Sequence, residues 1–464
     1  MVKLLTRPVI ELSEYGKSDS VELIKAEVDV LESPRFSKRI RVIKIGRNRY
    51  RLEARQHVGN IVLRGHVIRI RPKIPDLNFF RMLFYTEGLV EFQPEEIGYE
   101  TSPDLFQGII SYFLTRVSSL ARQGIQKGYV DQEDNLRTIR GRVLIEENMR
   151  ANALTLERIY CKYSDFTSDI IENRILKYTL FHLLRVPLDD DIRRHVKGLL
   201  HYFESVSLTP SLSQNLPRIT YSRLNMAYRP LIIMSKMILD HSSMNFQNTG
   251  ELDFASFLVD MNKLFEKFIR GYLRQKLGKY TITGPGFYNP PGTLDVEGNI
   301  GQKPDILVRQ NRRLILVLDA KYKQLHSEDE DQTEMSNADI NQVLAYCLSF
   351  GLPVGILVYP SHQFGVTVNA RHTIKSSSIT LFTKTIDLRH GEKNKFMNEC
   401  EQFGKYVQDI IESEVIPNLK IQDQLNRSLI LFPTLAVARR RVISRVRLAT
   451  RHSLPANPEI KVKT

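Results

Sequence analysis

The stretch that most constrains the fold is residues 301–323, read GQKPDILVRQNRRLILVLDAKYK. Two apolar runs, Ile306-Leu307-Val308 and Leu314 to Leu318, flank a polar turn at Gln310-Asn311-Arg312-Arg313. Short apolar runs bounded by turn residues predict a β-hairpin whose second strand is buried. Asp305 follows Pro304 at the mouth of the first strand, and Asp319 and Lys321 close the second. Side chains alternate along a strand, so Asp319 and Lys321 share a face. Two carboxylates and an ammonium therefore converge at one end of an otherwise apolar hairpin.

That set fits two readings, an ordinary salt-bridged strand end and a metal-dependent site. Two carboxylates can hold Mg²⁺, a hard cation that takes oxygen ligands. A bound metal lowers the pKa of a water and polarises a phosphoryl oxygen. The spelling Pro-Asp, a spacer, then Asp-Ala-Lys resembles the signature of PD-(D/E)XK nucleases. Upstream, Phe254, Phe257, Leu258, Met261, Phe265, Phe268 and Ile269 fall at helical spacing, which predicts one long amphipathic helix carrying Glu266. The nuclease resemblance makes Glu266 a supporting acid; the alternative is a solvated charge on the helix's outer face. Downstream, Gln342 and Tyr346 lie four apart on one face of a predicted helix, similar to the QxxxY element of RecB-like members. A strand is expected from Pro353 onward.

The whole chain sets wider limits. Its 464 residues suffice for about three domains of ~150 residues. No apolar run approaches the about 18–20 residues that span a bilayer, so no membrane association is expected. Cys161, Cys347 and Cys400 are far apart and have no metal-ligand spacing, which suits a reducing cytoplasm. The net charge of +14 suits a polyanionic partner. There is no GxxxxGK[ST] loop, no Gly-x-Ser-x-Gly elbow and no His-Glu-x-x-His pair. The hairpin is the remaining enzymatic candidate.

Residues 1–75 read as strands, with one hairpin turning at Gly46-Arg47-Asn48 and another at Arg64-Gly65. Lys38, Arg39, Arg41, Lys44, Arg47, Arg49, Arg51 and Arg55 give these hairpins a basic face, either solvated or set against phosphates. Arg71-Pro-Lys-Ile-Pro75 ends the strand pattern, and Asp76 opens a short helix. Residues 101–104 are expected to cap a long helix from Leu105 to about Gly128. Residues 129–145 look extended, and Arg140 and Arg142 would share a face of a regular strand. Further helices are expected over 165–186, 191–206, 212–224 and 230–241, making the middle mainly a helical scaffold. An acidic run at 328–331 reads as a solvated loop. Strands are expected across 366–385 and a helix across 394–415. The basic stretch 439–451 reads as a DNA-ordered segment or a loose tail.

These landmarks together resemble the McrC family, nuclease subunits of McrBC-type modification-dependent restriction systems. The resemblance is carried by Arg69-Ile-Arg-Pro-Lys-Ile-Pro, Phe79-Phe-Arg-Met-Leu, Arg140-Gly-Arg and Glu172-Asn-Arg-Ile-Leu-Lys. It continues through Phe257-Leu-Val-Asp-Met-Asn-Lys-Leu-Phe-Glu-Lys-Phe, Lys303-Pro-Asp305-Ile, Asp319-Ala-Lys-Tyr-Lys and Asp339-Ile-Asn-Gln-Val-Leu-Ala-Tyr. These span roughly residues 65–350 in order; the first 60 residues and the part after about 415 are not supported by it.

The resemblance implies a mixed α+β chain. The elements read along the chain give a basic β-rich domain at 1–98 set to meet a partner or DNA, a mainly helical scaffold at 99–245 and a basic tail at 417–464, and the resemblance makes 246–416 a restriction-endonuclease-like PD-(D/E)XK domain. It implies a DNA endonuclease subunit that cuts DNA bearing modified cytosine, with Mg²⁺ as cofactor. An AAA+ partner of McrB type would bind GTP or ATP and be stimulated by this chain. Asp305, Asp319 and Lys321 match the family's catalytic positions, and Glu266, Gln342 and Tyr346 its supporting ones. Asp305, Asp319 and Glu266 would be the metal ligands. The alternatives are a non-cleaving activator of the AAA+ partner and a basic DNA-binding module.

Overall fold

The fold is a mixed α+β arrangement of several sheets. The computed structural model describes residues 7–89, 105–154, 157–186, 188–209, 219–241, 256–285, 292–323, 327–329, 332–333, 337–361, 367–375, 377–421 and 424. The expected cap at 101–104, Phe254 and the basic stretch 439–451 lie outside them. So do 212–218 of one expected helix, part of the acidic run at 328–331, and most of the 417–464 tail.

The N-terminal part comprises β1 (Val9–Ser13), β2 (Val21–Glu22), α1 (Lys25–Glu32), β3 (Ile40–Gly46), β4 (Arg49–Ala54), β5 (His57–Val62) and β6 (Val67–Arg71). Both predicted hairpins form, β3 against β4 and β5 against β6. The first turns through Asn48, whose positive φ of 58° suits a short-side-chain residue. Helix α1 interrupts what the sequence pattern read as continuous strand. Its buried Val28 and Leu31 join a small core with Leu12, Leu52, Ile61 and Ile68.

The middle comprises α2 (Asp76–Thr86), α3 (Leu105–Gln123), β7 (Gly128–Leu136), β8 (Arg142–Val143), α4 (Ile145–Asn152), β9 (Ile159–Thr167), α5 (Ile171–Leu183), α6 (Asp190–Leu200) and α7 (Tyr228–His241). It is less helical than expected, because β7, β9 and β8 form a three-stranded antiparallel sheet. β9 alternates polar and apolar residues too weakly to stand out, and it delays the helix expected from 165 until Ile171. Residues 219–224, expected as helix end, are irregular. Gly141 has φ 67°, and a Cβ there would stand 2.4 Å from the Lys162 carbonyl oxygen. Glycine is what lets β8 close on β9. Arg140 consequently leaves strand geometry, stacks 4.3 Å over the Tyr163 ring and bonds Asp165 at 2.7 Å.

The C-terminal part comprises β10 (Ser256–Asp260), α8 (Met261–Lys276), β11 (Thr281–Thr283), β12 (Ile306–Gln310), β13 (Arg313–Ala320), β14 (Ser327–Asp329), β15 (Gln332–Thr333) and α9 (Asn337–Phe350). It ends with β16 (Val354–Ser361), β17 (Asn369–Thr373), β18 (Thr380–Asp387) and α10 (Lys393–Ile410), which runs on into a π-helical turn, Ile411–Val415. The single helix predicted from Phe254 is corrected here. Ser256 to Val259 are all buried, as a strand, and the helix starts only at Met261. Asp260 caps it, its carboxylate accepting the Asn262 and Lys263 N–H groups at 3.1 and 3.3 Å. An apolar strand buried on both faces carries no period-two signal, so its spacing merged with the helix's stripe.

β10 pairs antiparallel with β5 and completes the N-terminal sheet, in the order β1-β6-β5-β10. Gly59, at φ 132°, lets the two backbones meet, since a Cβ there would fall 2.0 Å from the Phe257 carbonyl oxygen. The helix that follows β10 is thereby anchored directly on the N-terminal sheet. A six-stranded mixed sheet, β11-β12-β13-β16-β18-β17, forms the C-terminal layer, with β13, β16 and β18 mutually parallel. The predicted hairpin is β12–β13, turned by Asn311 and Arg312 at φ 49° and 68°, both positive as a tight hairpin requires.

Helix α8 covers one face of that sheet, packing Phe265, Phe268 and Ile269 with Leu318, Ile356 and Val358. Helix α9 covers the other, packing Val343, Tyr346 and Cys347 with Val317, Leu357 and Tyr359. Each such fully buried side chain contributes about 1.5–3 kcal/mol from the area withdrawn from water. The larger core runs without a break from Val58 through α2, α3, α5 and α7 to Leu419. All three cysteines are buried and unpaired with one another. Among the described residues no helix is long and apolar enough to cross a membrane.

Candidate active site

The hairpin, α8 and α9 meet at the C-terminal end of β13, where parallel strands present their side chains to a ligand. Asp305 lies just ahead of β12, and its Oδ2 accepts the Ala320 backbone N–H at 3.0 Å. Asp319, on the last turn of the pleat of β13, is wholly buried. Lys321 Nζ stands 2.8 Å from Asp319 Oδ2, whereas Asp319 Oδ1 has no hydrogen-bond partner. The three residues singled out from the hairpin are therefore brought together.

Their electrostatics are strained in a way that suits a cation. Burial, then the charge of Asp319, pushes the Asp305 carboxyl well above the usual carboxylate range. Burial also raises Asp319, against the opposing pull of Lys321. Burial disfavours the charge on Lys321, but Asp319 and Asp305 outweigh it and raise its pKa. Two adjacent, desolvated carboxylates with one unpartnered oxygen form an oxygen donor set that fits a hard divalent cation. Among the described residues, no group of three or more His, Cys, Asp or Glu side chains is assembled that could hold a metal ion.

Glu266 is half-buried on α8, and it is neither a solvated charge nor free toward the aspartates. Arg270 Nη1 bonds its Oε1 at 2.5 Å and also donates to the Asp305 carbonyl oxygen at 3.2 Å. Glu266 still acts on Asp305, raising its pKa by charge. Gln342 and Tyr346 share a face of α9, as their spacing predicts, with Gln342 Nε2 donating to Tyr346 Oη at 2.6 Å. Tyr346 O–H reaches the Lys303 carbonyl at 3.4 Å, so the pair braces the chain entering Asp305.

Sequence reasoning passed over three residues here. Asp339, in the first turn of α9, accepts the Tyr359 O–H at 2.7 Å and pairs with Lys323 Nζ at 2.5 Å. Its charge raises both Asp319 and Lys321. Arg270 is the second, four residues after Glu266, a spacing that does signal a helical ion pair. Tyr359 carries no sequence signal, because it joins the site through sheet register.

Fold and site together define a class: a mixed sheet between helices, with an acidic pair and a lysine at its strand ends. The family described as McrBC 5-methylcytosine restriction system component matches residues 52–360, well over half of the chain. The chain belongs to that family. It is 25% identical over 328 residues to the Type IV methyl-directed restriction enzyme EcoKMcrBC of Escherichia coli strain K12, across 68% of this chain and 93% of that protein. A chain in the refined half-complex of Thermococcus gammatolerans McrB AAA+ hexamers with bound McrC, from a tetradecameric assembly, has the same fold. It superposes with a TM-score of 0.59 at 21% identity, over 87% of this chain and all of that one.

Proposed function

We propose that this chain is the DNA-cutting subunit of a modification-dependent restriction system, hydrolysing phosphodiesters with Mg²⁺ at a PD-(D/E)XK site. The observation that carries this reading is Asp319, buried beside Asp305 with one oxygen unpartnered and the other paired to Lys321. Asp305 and Asp319 hold the metal, which when bound supplies an acidified water and polarises the phosphoryl oxygen. Lys321 orients the attacking water and stabilises charge that develops on the phosphate. Glu266, through Arg270, sets the backbone of Asp305, and Gln342 with Tyr346 fixes its approach from Lys303. The partner is an AAA+ GTPase or ATPase of McrB type that reads modified cytosine, which family membership and the shared fold support.

A rival reading, an activator of the AAA+ partner that does not cut, draws on Glu266 being engaged by Arg270. One experiment separates them. Cytosine-methylated and unmethylated plasmids are incubated with chain, partner, Mg²⁺ and GTP or ATP, with Asp319→Ala as control. Cleavage that needs the partner, methylation and Asp319 supports the nuclease. Faster nucleotide hydrolysis with intact plasmid supports the activator.

A further inference from the structure

Glu14 sits in the turn after β1 and is wholly buried, although nothing in the proposed chemistry uses it. Its Oε1 accepts the Tyr322 O–H at 3.0 Å and the Lys73 backbone N–H at 3.2 Å. Its own backbone N–H donates to the Arg71 carbonyl at 2.9 Å, while its Oε2 has no hydrogen-bond partner. A buried carboxyl with an unsatisfied oxygen opposes folding. The turn that delivers it also holds Tyr15 at φ 56°, an uncommon conformation for an aromatic residue. An apolar side chain would fill the same space at lower cost. The carboxyl is therefore doing something that packing alone does not require.

What it touches supplies the use. Tyr322 directly follows Lys321, and its ring lies 5.7 Å from that of Phe265 on α8, the neighbour of Glu266. Lys321 itself is fixed on its other side by a backbone bond to the Val358 carbonyl at 2.9 Å. Lys321 and Tyr322 leave β13 together just past Ala320, so the hold on Tyr322 fixes the backbone from which Lys321 projects. Together with β10 and α8, the contact closes a ring: N-terminal sheet, β10, α8, Tyr322, Glu14 and back to the sheet.

We propose that Glu14 is a positioning residue for cleavage: through Tyr322 it fixes the strand exit that carries Lys321, and it ties the N-terminal sheet to the reacting centre. This rests on the nuclease reading above. An acceptor at position 14 is what the strand exit needs, so the chemistry of the substitute decides the outcome. Glu14→Gln keeps an acceptor for the Tyr322 hydroxyl. Glu14→Met removes it at similar volume, and Tyr322→Phe removes only the donor.

The test is steady-state plasmid cleavage by the full chain with its AAA+ partner, alongside nucleotide hydrolysis and thermal melts of each variant. Misplacement of a reacting group by about 1 Å costs about a hundredfold. Glu14→Met and Tyr322→Phe are therefore expected to lower kcat for cleavage by about ten- to a hundredfold. KM for DNA and the stimulated nucleotide hydrolysis stay within about twofold, the double variant is no worse than the worse single, and Glu14→Gln retains cleavage. Normal kcat in Tyr322→Phe, multiplicative losses in the double variant, or losses that track the folded fraction would each overturn the proposal. A wild-type chain without Asp319-dependent cleavage would sink the nuclease reading and this inference together. A cleaving wild type with unaffected variants would sink only the inference.

Discussion

At the scale of single residues, the site stores unfavourable electrostatics. Asp319 is buried, raised by desolvation and short of one hydrogen bond, a combination that costs stability. Asp319→Asn removes the charge and keeps the shape. It is expected to abolish detectable cleavage while raising the thermal midpoint by a few degrees, about 1 kcal/mol; a lowered midpoint would show that the charge stabilises the fold. Glu14 gives a pH signature. Burial raises it to about 7 from 4.5, against Lys73 and the Tyr322 hydroxyl, with Tyr15 also facing it. A raised folded-state pKa means its contribution is fully present below pH 4.5 and is lost as pH rises through about 7. Denaturation of Glu14→Gln against wild type is expected to show a shallower loss of stability across that window, by on the order of 3 kcal/mol. Parallel curves would contradict a buried, titrating Glu14. The strand alternation that joins Asp319 to Lys321, and the helical spacing that joins Gln342 to Tyr346, were both legible in the sequence. Glu14 was not, because its partners lie in the loop before α2 and after β13, and no local period records them.

At the scale of elements, the β12–β13 hairpin and β16 were legible as short apolar runs bounded by turn residues, and α9 by the four-residue spacing of Gln342 and Tyr346. β10 was not. Its Phe257-Leu258-Val259 run is buried on both faces, so it read as the first turn of α8. That misreading hides the element that splices α8, with Glu266 and Arg270, onto the N-terminal sheet. Gly59 is the fastening point of the splice. Gly59→Ala would drive a Cβ into the Phe257 carbonyl, and is expected to cost about 2–4 kcal/mol in chemical denaturation. An unchanged denaturation midpoint would mean that β5 and β10 do not approach so closely.

At the scale of the whole molecule, the partition at residues 98 and 245 follows composition, whereas the main core crosses both positions. Helix α2 packs directly on α8, and α3, α5 and α7 belong to the same continuous core, so an event on the N-terminal sheet has a path of packed contacts toward β13. That arrangement suits the proposed nuclease, whose site would answer to its AAA+ partner. The most direct test of the central claim is Lys321→Ala, scored for plasmid cleavage and partner nucleotide hydrolysis in one reaction with Mg²⁺. Cleavage is expected to disappear while stimulated hydrolysis persists at near wild-type rate. Cleavage at the wild-type rate would show that the pair at the end of β13 is a salt bridge and that the cutting centre lies elsewhere.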